Sequence, residues 1–298
     1  MSNQLPSIGF IGAGVMGRSM IGHLLKAGHA MRIHTRTRAK AEPLLAAGAV
    51  WAETPAEVAK GMDVVISIVG LPSDVRSVWL GPVGALREMK KGSIGIDMTT
   101  SSPALAAEIH EAAKARGVAT LDAPVTGGDV GAREARLSIL VGGPREAFER
   151  AKPIFARLGT NIVHFGDAGA GQRCKLCNQI VIAGNMIGMV EGLYYAKQAG
   201  LDPALVLEGI GKGAAGSWSL VNLGPRILRG DLEPGFMIEH FIKDMELALE
   251  ECRRLNIHLR GLELVHRLYR ALREHGHERK GTQALILALE KNLGPHPS

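Results

Sequence analysis

The sequence predicts an α/β amino-terminal half, built on an open, doubly wound parallel sheet, then an all-helical carboxy-terminal half, with one long helix joining them. Three observations predict this. Strand-like and helix-like segments alternate through the first 165 residues, the signature of repeated βα units with helices on both faces of a sheet. The strand-like runs are short and apolar, with β-branched residues concentrated where a strand must be buried. Beyond residue 171 the alternation stops and only helical periodicity remains.

Taken in order, residues 7–11 are a short apolar run, followed by a glycine turn and a helical stretch over 16–27. A strand at 30–35 leads to a helix at 38–47, and a brief strand at 50–52 to a helix at 55–60. The β-branched run 64–69 reads as a buried strand, 73–80 as a helix, and 95–98 as a strand that carries Asp97. A helix at 104–116, strands at 120–123 and 138–141, and a helix at 145–158 complete this half. The segment 171–199 is one long helix, and its centre, 180–190, is apolar on nearly every face. A helix apolar all round is expected to be buried, and this one is too interrupted to cross a bilayer. Further helices are expected at 204–212, 220–228, 241–255, 262–275 and 282–293. Two domains follow: a nucleotide-binding domain over 1–166, and a helical domain over 167–298 that includes the connecting helix 171–199.

Composition narrows the function. Of 298 residues 46% are apolar and 21% charged, which excludes a disordered chain. Glycine is the unusual residue, at 38 positions, about twice the ~7% average. The glycines follow no G-X-Y period, so they serve turns or places where backbone approaches a ligand. The net charge of +6 suits anionic small molecules. Its densest stretch (Arg253, Arg254, Arg260, Arg267, Arg270, Arg273, Arg279, Lys280) is broken by acids and histidines, and aromatics are only 4%, so nucleic acid is not an expected partner. Three cysteines exclude a disulfide scaffold. Cys174 and Cys177 form C-x-x-C in a helical pattern with no second Cys/His pair nearby, so no metal is expected and both should pack inside as small residues. Residues 2–7 are short and polar, unlike a signal peptide, and no run of ~18 apolar residues exists. A cytoplasmic protein without a membrane partner is expected.

The first strand runs into Gly12-Ala13-Gly14-Val15-Met16-Gly17, a G-x-G-x-x-G that opens a helix. Gly12 allows the tight turn, Gly14 lets a pyrophosphate meet backbone, and Gly17 lets helix and strand pack closely. The N–H groups at the helix start attract phosphate. Strand before and helix after are the context that makes this a Rossmann-type dinucleotide site. At the end of the second strand an acid would hold the ribose of NAD, whereas arginine accommodates the 2′-phosphate of NADP. Here the residues are His34-Thr35-Arg36-Thr37-Arg38, with no acid before Glu42. NADP is therefore expected over NAD, with the Thr35 and Thr37 hydroxyls beside the Arg36 fork.

Three more motifs follow: Asp122-Ala123-Pro124-Val125-Thr126-Gly127-Gly128-Asp129-Val130-Gly131-Ala132; Gly169-Ala170-Gly171-Gln172-Arg173-Cys174-Lys175-Leu176-Cys177-Asn178; and Lys243-Asp244. With the first loop, and in this order, they resemble the β-hydroxyacid dehydrogenase family, over nearly the whole chain. That family includes 3-hydroxyisobutyrate dehydrogenase and tartronate semialdehyde reductase. The resemblance implies that Thr126, Gly127 and Gly128 grip a substrate carboxylate, that Lys175 is the catalytic lysine, and that Asn178 orients the substrate. It implies that Lys243 closes over the cofactor and that Leu71, Pro72 and Thr100 line its nicotinamide end. Trp218 and Phe236, each beside glycines, are expected near the substrate mouth.

The residues themselves agree with that implication. Lys175 shares a helix face with Asn178 and Gln179. A lysine on a buried face loses hydration, which moves its pKa toward acid–base range. This chain departs from the family in having Thr126 for Ser, Gln179 for a second Asn and Ala135 for Gly. Those changes bear on which substrate fits rather than on catalysis. The absence of His from the Lys175 motif argues against a phosphorylated sugar acid. The expected activity is NADP-dependent hydride transfer between a short β-hydroxy acid and its semialdehyde, by a homodimer or homotetramer. An imine reductase of the same fold and a non-catalytic NADP-binding scaffold are the alternatives; retention of Lys175 argues against the first.

Overall fold

In the computed structural model, residues 5–293 are described, so residues 2–4 of the polar opening segment and the last five residues lie outside the described part. The chain forms two compact units, Met1–Lys175 and Leu176–Ser298.

The first unit opens with β1 (Ile8–Ile11), α1 (Val15–Lys26), β2 (Met31–His34), α2 (Glu42–Ala46), β3 (Val50–Trp51), α3 (Pro55–Ala59) and β4 (Val64–Ser67). Next come α4 (Pro72–Leu80), β5 (Ile94–Asp97), α5 (Pro103–Lys114) and β6 (Ala119–Asp122). These strands make one six-stranded sheet in the order β3-β2-β1-β4-β5-β6, every pair parallel. Its order reverses between β1 and β4, and open α/β sheets bind ligands at the carboxyl ends of strands at such a point.

Period-two patterning explains the two cores. Ile8, Phe10, Val64, Ile66, Ile94 and Ile96 point to one face, while Ile11 and Val65 point to the other, against Val75, Trp79, Leu105 and Ile109. Each fully buried aliphatic or aromatic side chain contributes about 2 kcal/mol of transfer free energy.

The rest of the unit was only partly legible in the sequence. After β7 (Val125–Thr126), α6 (Gly128–Arg133), β8 (Leu137–Val141), α7 (Arg145–Phe155) and β9 (Gly159–His164), a second sheet has the order β7-β8-β9. The expected strand at 138–141 therefore belongs to this separate sheet. β7 and β9 were not expected: β7 has two residues, held by pairing Val125 with Ile139 and Thr126 with Ser138, and β9 shows no apolar alternation. The single helix expected at 38–47 is instead a 3₁₀ turn, Arg38–Lys40, and the short α2. Pro43 has no N–H to donate back into a preceding turn, so the α-helix starts just before it.

The long helix α8 (Ala170–Gln198) begins in the first unit and runs into the second. It is followed by α9 (Pro203–Ile210), α10 (Trp218–Leu228), α11 (Ile238–Leu255), α12 (Arg260–Glu274) and α13 (Ile286–Glu290). The helix expected at 282–293 opens instead as a 3₁₀ turn over Thr282–Leu285, because the Gly281 and Thr282 N–H groups donate to the Leu232 and Phe236 carbonyls.

Burial of α8 on every face is corrected. Ala183, Met186, Met189, Val190 and Leu193 enter the second unit's core, but Val181 is 62% and Tyr195 70% exposed, in a row with Cys177, Gly184, Gly188 and Gly192. The glycines of this row present no side chain for the core to pack, and the Val181 and Tyr195 side chains lie outside it. Mean hydropathy and length alone would let α8 cross a membrane, although it lacks an uninterrupted apolar run of that length.

Candidate active site

The first glycine loop has the geometry its sequence requires. Gly12 has φ of +105°, and a Cβ there would lie 2.1 Å from the Ile68 carbonyl oxygen. A Cβ on Gly17 would lie 1.9 Å from the Gly12 carbonyl oxygen, so only glycine lets α1 approach β1 this closely. At Gly14 a Cβ would meet nothing within 4 Å, which leaves open space over the backbone for a pyrophosphate. Gly14 caps α1 without a side-chain hydrogen bond and the first turn holds no acid, so the free N–H groups and the helix dipole suit an anion. Ala13 is buried beneath the loop, Val15 is exposed and Met16 packs against the core. The residues present fit a dinucleotide.

At the end of β2, Arg36 is exposed and reaches Asp74 Oδ1 at 3.4 Å. Asp74 also accepts from the Leu71 N–H at 3.1 Å, at the start of α4, so Thr35-Arg36-Thr37 and Leu71-Pro72 come together on one side of the sheet. Arg38 turns elsewhere: its guanidinium lies over Trp51 and pairs with Glu42 and Glu53. Of the two guanidiniums in this loop, Arg36 is the one directed to Asp74 at the start of α4.

Behind the ends of β5 and β6 lies a buried polar layer. Asp97 Oδ1 accepts from Ser67 Oγ at 2.7 Å and from the Thr99 N–H at 3.2 Å. Trp79 Nε1 donates to the same Ser67 Oγ at 2.8 Å, and the Val69 N–H donates to Thr99 Oγ1 at 3.0 Å. Asp122, the register partner of Asp97, accepts from the Gly169 N–H at 2.7 Å and the Gln172 N–H at 2.8 Å, capping the start of α8. Burial pushes both carboxyls up to about 6; the hydrogen bonds to each pull the other way.

Asp122 thereby aims the helix that carries Lys175, whose side chain is buried, at 7% exposed. Gly171 lets α8 seat on the sheet, since a Cβ there would lie 2.3 Å from the Leu140 carbonyl oxygen. The substrate-loop candidates follow Thr126 on β7: Gly127 and Gly128 have φ of +128° and +64°, both in the region that favours glycine.

Asn178 and Gln179 lie one turn beyond Lys175 on α8. Asn178 Nδ2 donates to Gln179 Oε1, and Gln179 Nε2 donates to Asp244 Oδ2, each at 2.6 Å. The other oxygen of Asp244 lies 2.9 Å from Lys243 Nζ. Asp244 is buried within α11, so this is not a solvated surface pair. Phe236 stacks on His240 and meets Phe241 edge-on, while Trp218 begins α10 and is 69% exposed. The cysteines depart from expectation: Cys177 is exposed and Cys174 half-buried, because the C-x-x-C spacing turns Cys177 onto the outer row of α8. Among the described residues no His/Cys/Asp/Glu group is arranged to hold a metal.

Asp97, Asp122, Gln172 and Asp244 were not singled out from the sequence as site residues. Asp122, Gln172 and Asp244 stand inside the recognised motifs, which was the one available signal.

Fold and site define an NAD(P)-dependent oxidoreductase acting on CH–OH groups. Residues 7–166 match the family described as the NAD-binding domain of 6-phosphogluconate dehydrogenase, and residues 169–289 that described as the NAD-binding domain of NADP-dependent 3-hydroxyisobutyrate dehydrogenase. The chain belongs to the β-hydroxyacid dehydrogenase family. It is 51% identical to an uncharacterised oxidoreductase of Bacillus subtilis, over 94% of this chain and 97% of that one. It is 37% identical to 2-hydroxy-3-oxopropionate reductase of Escherichia coli, over 95% and 97%. Among solved structures, 3-hydroxyisobutyrate dehydrogenase of Mycobacterium tuberculosis with L-serine superposes with a TM-score of 0.88 at 29% identity, covering 96% of this chain and 99% of that one. Imine reductase of Myxococcus stipitatus, at 24% identity and a TM-score of 0.62, shares the fold alone.

Proposed function

We propose that this enzyme prefers NADP and interconverts a short β-hydroxy acid and its semialdehyde, with Lys175 as general acid and base. The observation that carries the reading is the buried Lys175, set by the Asp122 cap and followed on the same helix by the Asn178 and Gln179 amides. Gly12–Gly17, with Thr35, Arg36 and Thr37, would hold the dinucleotide, and Leu71, Pro72, Thr100 and Lys243 would line its reactive end, where nicotinamide supplies a hydride to a carbonyl carbon.

The chain's own residues do the rest. Lys175 Nζ donates a proton to the substrate oxygen as negative charge develops on it, and takes that proton back in the oxidative direction. The Gly127 and Gly128 N–H groups and the Thr126 hydroxyl grip the substrate carboxylate. Asn178 orients the carbonyl; its amide is itself fixed by Gln179. Trp218 and Phe236 supply apolar surface at the substrate mouth.

The domain division at 166/167 belongs to the same reading, supported by where the two family matches meet. So does a homo-oligomer, supported by the exposed apolar row on α8. A cytoplasmic location is consistent with three free thiols.

The test is a panel of 3-hydroxyisobutyrate, glycerate, 4-hydroxybutyrate, β-hydroxypropionate and their semialdehydes, assayed with both cofactors. Turnover of at least one pair, with higher kcat/KM for NADP(H) than NAD(H), is expected. Tight NADPH binding without turnover of any member would favour a scaffold instead.

A further inference from the structure

Gln172 is fully buried on the first turn of α8, three residues before Lys175. Its side chain is not turned toward its own helix. Nε2 donates to the Thr99 carbonyl at 2.7 Å, and Oε1 accepts from the Ser101 N–H at 2.9 Å. The two bonds bracket Thr100. Meanwhile the main-chain N–H of Gln172 donates to Asp122. Thr99 in turn holds the Val69 N–H through its hydroxyl, just before Leu71 and Pro72. One residue therefore ties together the end of β6, the loop after β5 and, through Thr99, the loop after β4. Ser101 Oγ is buried with no hydrogen-bond partner, so this hydroxyl does nothing to anchor the loop, and the Gln172 amide takes up the Ser101 N–H.

We propose that Gln172 is a positioning residue that fixes the nicotinamide-side loop, Thr99 to Ser101, at a set distance from Lys175. It does so without touching either reactant. The inference rests on the reading of Thr100 and Lys175 given under Proposed function. Its physical basis is that hydride transfer and proton transfer must be in register on one carbonyl group. A shift of about 1 Å between donor and acid costs about 100-fold in rate. A buried amide with both ends engaged cannot rotate, and each end left unmade carries a desolvation penalty.

The test uses Gln172→Met, which keeps volume and loses both bonds. Gln283→Met is its control, because Gln283 is equally buried and its amide bridges the Asp231 and Glu233 carbonyls at 3.1 and 3.0 Å, with no bond to Thr99, Ser101 or Asp122. In Gln172→Met, kcat at saturating substrates should fall about 10–100-fold, with KM for NADPH within about threefold and a larger deuterium isotope effect on kcat. Gln283→Met should lose stability while keeping kcat and isotope effect. Unchanged kcat and isotope effect in Gln172→Met, or the same changes in both variants, would overturn the proposal.

Amide exchange gives a readout that needs no turnover. The Ser101 amide should exchange at least about tenfold faster in Gln172→Met and not in Gln283→Met. If the native enzyme turns over no hydroxy acid or semialdehyde, the functional reading fails and the exchange result alone judges the clamp; equal exchange in native and Gln172→Met protein sinks it.

Discussion

Gln179 Nε2 donates to Asp244 Oδ2 at 2.6 Å, which joins the lysine-bearing helix to α11 through a buried carboxylate. Asp244 also faces Lys243 Nζ, so removing it leaves the buried Gln179 amide without its acceptor and takes one partner from Lys243. Asp244→Ala should lower stability by about 2 kcal/mol, because the buried Gln179 amide loses its acceptor. Asp244→Asn keeps one acceptor and should cost about 1 kcal/mol. Urea denaturation of the two variants checks the ordering; equal stabilities would show that the contact contributes nothing.

Lys175→Ala should bind NADPH within about threefold of the native affinity and lose kcat by about 10²–10⁴-fold, the usual contribution of a positioned acid–base group. Fluorescence titration and steady-state kinetics read the two quantities separately. Activity within threefold of the native enzyme would remove Lys175 from the mechanism.

Arg36→Ala should raise KM for NADPH by about tenfold or more, the cost of a lost charge-assisted pair with phosphate, and leave KM for NADH nearly unchanged. Asp74 is the competing partner of Arg36, so Asp74→Asn should lower KM for NADPH. A native preference for NADH would contradict the assignment.

Asp97 and Asp122 give the fold a pH dependence of defined sign. With both carboxyls pushed from the ordinary 3.8 up to about 6, the folded state binds more protons than the unfolded state between about pH 4 and 6. Their stabilising contribution is present at the acid end of that window and is lost as pH rises through about 6. For Asp97 the loss is about 3 kcal/mol. Asp97→Asn keeps the acceptor for Ser67 and Thr99 and removes the ionisation. It should raise Tm at pH 7.5 and flatten the slope of stability between pH 4 and 6. A lower Tm at pH 7.5 would mean that the charge itself is stabilising.

The outer row of α8 predicts self-association. Light scattering should give a dimer or tetramer mass for the native protein, and Val181→Glu, at a 62%-exposed position, should shift it toward monomer. A monomeric native protein would refute this.

The sequence by itself determined the elements whose information is local. The glycine turn is a pattern of six residues, Gly12 to Gly17, between a strand and a helix. The apolar runs of Ile8–Ile11 and Val64–Ser67 are a property of each strand alone. The order of the four motifs was enough to predict the family and the location of Lys175, Asn178 and the Thr126–Gly128 loop along the chain. Only the tertiary structure decided which polar groups meet. Asp122 with Gly169, Gln172 with Thr99, and Gln179 with Asp244 are separated by 47, 73 and 65 residues. No periodicity encodes such pairings, because each depends on where two distant strands or helices place their side chains. The same reason explains β7, which exists only by pairing with β8, and α8, whose apolar composition could not reveal that one of its faces lies outside the chain's own core.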